Sequence, residues 1–89
     1  MATKPPPDVK PYPEDSIETK AYKSVADIPT QEPNDRNRLG YHVWRWLTNK
    51  TNTTLDEQIT VSGARLLIDE KEAKDRILAK LKEMNVELP

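Results

Sequence analysis

Tyr41-His42-Val43-Trp44-Arg45-Trp46 gathers one tyrosine, both tryptophans, the only histidine and an arginine within six residues. Arg36, Arg38 and Lys50 flank this stretch, against the single acid Asp35. Two kinds of chemistry need such a mixture. Single-stranded nucleic acid is held by cations on phosphates, interleaved with rings that stack on bases. Protein interfaces use tryptophan, tyrosine and arginine as anchors. A small domain has a third use, because two tryptophans can supply much of its core. The expected order is core first, protein interface second and nucleic acid third. Arg38, Tyr41, Trp44, Arg45 and Trp46 are therefore candidate partner-binding residues. A small nucleic-acid-binding regulator would use the same 36–50 segment.

No catalytic or metal constellation accompanies this stretch. With no cysteine in the chain, neither a thiolate metal site nor a disulfide framework forms. His42 has no second histidine with which to complete a metal site. No Ser-His-Asp or Cys-His set assembles. Gly40 and Gly63 are the only glycines, so there is no glycine-rich phosphate loop. The expectation is a non-enzyme with no cofactor, no metal and no catalytic residue.

Composition narrows the class further. The chain has 89 residues, a formal net charge of −1, 35% hydrophobic and 33% charged residues. Near-neutral charge gives no global attraction to nucleic acid or to acidic membranes. No apolar run is long enough to span a bilayer, and the N-terminus lacks the apolar region of a secretory signal. These features predict no membrane insertion. They also predict a reducing intracellular setting: cytoplasm, organelle or the inside of a virus particle.

Seven of the eight prolines lie in the first 33 residues. Proline fixes φ, removes a backbone donor and pushes its predecessor toward extended conformations. Residues 1–34 therefore read as an extended interaction arm that does not fold alone, carrying four lysines against six acidic residues. Its sparse apolar residues read as isolated anchors rather than a core face. Tyr12, Ile17, Tyr22 and Ile28 are the anchors expected to fill pockets on a neighbour. Between Ser24 and Asp27 the sequence allows one helical turn, limited by Pro29. Deleting residues 1–33 is expected to leave the remainder folded.

Residues 35–89 read as a small helical domain. Asn34 or Asp35 can cap a helix running to Leu47, with Leu39, Val43, Trp46 and Leu47 on one face. Thr54-Leu55-Asp56-Glu57 matches a capping box. Leu55, Ile59 and Leu66 continue that helix, with Ser62 and Gly63 as its weak point. The competing reading places a short hairpin within residues 41–68, giving an α+β fold. Asp69 with Glu70 and Glu72 opens a last helix whose Ala73, Ile77, Leu81 and Met84 share a face. Asn85 is its expected left-handed cap.

The predicted fold is mainly α: an extended proline-rich arm followed by two or three short helices. The core would form around Trp44, Trp46, Ile59, Leu66, Ile77 and Leu81. The function expected is a non-catalytic accessory subunit of a larger protein complex, in a cell or as a minor virion protein. In that picture the arm straps along a neighbouring subunit.

Overall fold

The computed structural model describes residues 13–49 and 51–89, and these are mainly helical. Helix α1 spans Ile17–Ser24, α2 Pro33–Leu47, α3 Leu55–Ser62 and α4 Glu70–Glu83. The helices close a ring. Helix α2 packs between α1 and α3, and α4 closes the other side against the same two. Tyr12 lies outside the described residues, as does most of the proline-rich run.

Local chemistry sets each start. Ser16 caps α1 by accepting from the Thr19 backbone N–H at 3.2 Å. Thr54 and Glu57 form the full capping box of α3, with both reciprocal bonds present. Asp69 caps α4 by accepting from the Glu72 N–H at 2.8 Å. Helix α2 starts differently from expectation. Pro33 takes a first helical position, where its missing donor costs nothing, and Glu32 is the cap residue without a side-chain bond. Asp35, an expected cap, lies instead inside the first turn and is buried.

Stops are equally local. Gly63 at φ 70° ends α3, since a left-handed residue cannot continue the spiral. Leu66 therefore lies beyond the helix rather than on its face. It forms an isolated antiparallel bridge with Thr30. Flanking bonds run from Gln31 N–H to Arg65 O and from Leu67 N–H to Pro29 O, each 2.9 Å. That bridge ties the α1–α2 connection to the α3–α4 connection. The hairpin alternative for residues 41–68 is thereby corrected. This span is helical through Leu47 and again from Leu55 to Ser62, because the capping box and the αL stop outweigh the strand propensity of Ile59-Thr60-Val61.

The core consists of Ala21, Val25, Ile28, Leu39, Val43, Leu55, Ile59, Ala73, Ile77 and Leu81. Three of these precede residue 34. Ile28 is 0% exposed, so it is a core residue and not a partner anchor. Ala21 and Val25 sit on one face of α1 and its C-terminal turn, four residues apart, and that face closes the ring. Ser24, expected to open a single turn, instead ends the two-turn helix α1, and residues 25–27 form the turn that follows it. The expectation that residues 1–33 are dispensable for folding is corrected for the same reason. Removing them would strip a helix and three core side chains. Trp44, Trp46 and Leu66, expected in the centre, pack only partly buried at its margin.

Candidate functional site

Helix α2 distributes its side chains by angle. Leu39, Gly40 and Val43 face the core. Residues three and four apart share a face, so Arg38, Tyr41 and Arg45 form a stripe on the opposite side. Trp44 flanks the stripe, its ring centroid 5.7 Å from that of Tyr41. His42 meets Tyr41 edge-on at 5.5 Å. The Arg45 guanidinium lies over the Tyr41 ring, 5.8 Å from its centroid, within range of a cation–π attraction. Its Nη1 also donates to the Tyr41 hydroxyl at 3.5 Å. Tyr41, Trp44 and Arg45 are thus brought together as one aromatic and basic cluster.

Trp46 is directed elsewhere. It lines a groove of about 400 Å³ with Leu55 of α3, Leu78 of α4 and the C-terminal Leu88 and Pro89. The two tryptophans therefore serve separate surfaces. Tyr22 is half-buried on α1 and sits over Gly40. A Cβ added at Gly40 would come within 2.6 Å of the Tyr22 ring. Glycine is required there by this close approach of α1 and α2, not by its backbone angle. Ile17, the first residue of α1, is half-buried.

The arginines of the segment have internal partners. Arg36 Nε donates to the Ile28 carbonyl at 3.0 Å. Arg38 Nη1 pairs with Asp35 at 3.3 Å. Arg65 approaches the same buried carboxylate through Nε at 3.2 Å and reaches Glu32 through Nη2 at 3.5 Å. Asp35 is only 2% exposed, so two guanidiniums compensate its burial. This clamp lies beside the Thr30–Leu66 bridge and reinforces the same junction of connections.

A second polar group was not anticipated. Gln58, which is buried, joins His42 to the loop before α3. Its amide oxygen accepts from His42 Nδ1 at 2.8 Å, which places the ring proton on Nδ1. Its amide nitrogen donates to Thr51 and Thr53. Every polar atom of the Gln58 side chain is thereby used, so the network fixes the α2–α3 loop rather than offering a reactive group.

Between α3 and α4 lies a groove of about 600 Å³ lined by Asp56, Glu70, Lys71, Lys74 and Asp75. Asp56 pairs with Lys74 at 2.9 Å and Asp75 with Lys71 at 3.1 Å, while Glu70 accepts from Thr60. On the far side Asp27 pairs with Lys80 at 2.9 Å. The hydrogen bond and charge of Lys80 hold the Asp27 carboxyl below its ordinary value, and Asp27 raises Lys80 in return. Glu14 is lowered likewise by its hydrogen bond to Lys23. Asp27 and Glu14 are exposed and Lys80 is half-buried, so solvent screens both pairs. Among the described residues no three His, Asp or Glu side chains gather to hold a metal ion. No helix there is long and apolar enough to cross a membrane.

No family model matches this chain, and neither does any curated protein or solved structure.

Proposed function

We propose that this protein is a non-catalytic accessory subunit that docks into a larger protein assembly, in a cell or in a virus particle. The outer face of α2 is the docking element. The Tyr41–Arg45–Trp44 cluster carries this reading. Tyrosine, tryptophan and arginine dominate binding energy at interfaces, and here the cation–π contact orders their side chains before any partner arrives. The proline-rich segment ahead of α1, with Tyr12, serves as a strap along the neighbouring subunit. An extended strap adds area and specificity to an interface.

Nucleic-acid binding by residues 36–50 is the weaker alternative. Arg36, Arg38 and Arg45 all have donors committed within the chain, which lowers their availability to phosphates.

The test compares affinity capture by the full chain with capture by a Tyr41→Ser, Arg45→Ser double variant. Both proteins are first checked for equal helicity. The intact chain is expected to retain a stoichiometric protein set that persists in moderate salt and after nuclease treatment, and the variant to lose it. Equal recovery by both proteins would remove the α2 face from the reading. Capture that vanishes with nuclease and falls steeply with salt would establish the nucleic-acid alternative.

A further inference from the structure

We propose that the proline-rich segment 4–12, which lies outside the described residues, docks on the α2 outer face of its own chain, so that a partner must displace it. The inference rests on the assembly reading only in taking this face as a binding surface. The aromatic row there extends beyond α2. Gly40 and Trp44 are one helical turn apart and lie on the same side of α2. Tyr22 sits over Gly40, which puts an α1 ring on the Trp44 side. Tyr41 stands 5.7 Å from Trp44, and Arg45 lies over Tyr41. Tyr22, Tyr41 and Trp44 are each half-buried, so each keeps part of its ring outside the core. Proline-rich segments dock on aromatic-lined surfaces of this kind, because their extended backbone is preset and little entropy is lost.

The segment matches the face in period and in attachment. A polyproline helix has three residues per turn, so every third side chain shares a ridge. Within residues 4–12, Pro6, Val9 and Tyr12 make the one ridge without a charge. Lys4 and Lys10 fall on a second ridge and Asp8 on the third. The apolar ridge faces the rings and the charges face water. Pro13, the next residue, is pinned to α1. Its carbonyl accepts from the Ser16 N–H at 3.0 Å and from the Thr19 hydroxyl at 2.9 Å. Thr19 and Tyr22 share a helical face, about 4.5 Å of rise apart. From Pro6 to Tyr12 a polyproline backbone spans about 20 Å, enough to cross Tyr22, Trp44 and Tyr41. So short a tether gives an effective concentration on the order of millimolar, and a contact too weak between separate molecules is populated within one. While it lasts, a partner's apparent affinity falls with the fraction of chains whose face is open. Displacement frees the same segment to run along the neighbour.

The chain has no cysteine, so Asp8→Cys gives a single site for a bimane label, which tryptophan quenches at contact range. The labelled full chain is measured alone. Its outcome is therefore separate from that of the capture experiment, which alone decides the assembly reading. Trp44→Phe is expected to raise bimane emission severalfold, and Trp46→Phe, on the other surface, to leave it unchanged. Val9→Ser with Tyr12→Ser removes the apolar ridge and should release the quenching, whereas Lys4→Ser with Lys10→Ser should not. Quenching should not change on dilution. Far-ultraviolet helicity is checked throughout. The Val9→Ser, Tyr12→Ser pair alters no described residue, so it decides the matter if Trp44→Phe disturbs the fold. The proposal is overturned if the Val9→Ser, Tyr12→Ser chain stays as quenched as the parent, or if a folded Trp44→Phe chain does. Equal release by Trp46→Phe also overturns it. So does quenching that weakens on dilution, which would seat the segment on a second copy.

Discussion

Helix α1 and the central stretch of α2 exchange the roles that their residues suggest. Around α1 the sequence is polar and punctuated by proline, yet Ala21, Val25 and Ile28 are fully enclosed. Helix α2 holds both tryptophans and one of the three tyrosines, yet Trp44 and Trp46 stay at the margin. Size and apolarity do not decide burial in so small a ring of helices. Angle does: a small residue aimed inward is enclosed, and a large ring one step around the helix is left at the rim. The lesson for reading short chains is to count apolar residues by phase even where prolines bracket them.

Six substitutions test this contrast. The largest effect is expected at Ile28. Truncation to alanine should cost about 3 kcal/mol through lost burial and the cavity left behind. Denaturant unfolding measures it, and a loss below about 1 kcal/mol would return Ile28 to the status of a surface anchor. Asp35→Asn comes next, at about 2 kcal/mol, because it removes the charge that two arginines share at the loop junction. Arg65→Ala should be smaller and non-additive with it in a double-mutant cycle.

Gly40→Ala should be destabilising by about 1 kcal/mol, although alanine is the better helix former. Crowding against the Tyr22 ring, typically about 1–3 kcal/mol, exceeds the propensity gain of about 1 kcal/mol. Replacing Tyr22 with leucine should recover part of that loss, and a stabilised Gly40→Ala single variant would show that α1 and α2 do not approach so closely. At the other extreme, Arg45→Ala should shift stability by about 0.5 kcal/mol or less, since the residue lies on the outer face. A loss comparable to that at Ile28 would mean that the cluster serves the fold rather than a partner.

The smallest effect is electrostatic. The folded state lowers the Asp27 pKa from the ordinary 3.8. Its contribution is therefore present above that value and lost as pH falls through the lowered one. Lys80 behaves in the opposite sense: its contribution holds below the ordinary 10.5 and disappears as pH rises through the raised value. Asp27→Asn should remove a slight acid-side decline in melting temperature and leave the neutral value almost unchanged. An unaltered pH profile would show that solvent screening cancels the pair.

Much of the local structure was legible because its causes are local. Thr54 with Glu57, Asp69 and Asn85 mark two starts and a stop through bonds to residues a few positions away. The Ala73, Ile77 and Leu81 stripe follows from one helical period. Helix α1 was obscured because the neighbouring prolines outweighed a Ser16 cap signal and an inward face of only three residues. The candidate cluster was legible in composition, since Tyr41, Trp44 and Arg45 are sequence neighbours. Its separation from Trp46 depended on which flank of α2 faced the groove that Trp46 shares with Leu55, Leu78 and Leu88.

The sequence alone determined the helical class, the capped starts of α3 and α4, and the aromatic and basic character of α2. Tertiary structure alone decided that residues 21–28 complete the core and that Asp35 meets Arg65 across 30 positions. It likewise decided that His42 meets Gln58 and that the two tryptophans face different surfaces. The physical reason is range. Caps and periodicity are fixed by bonds within one or two turns, whereas closure of the ring depends on which faces remain uncovered once all four helices are formed.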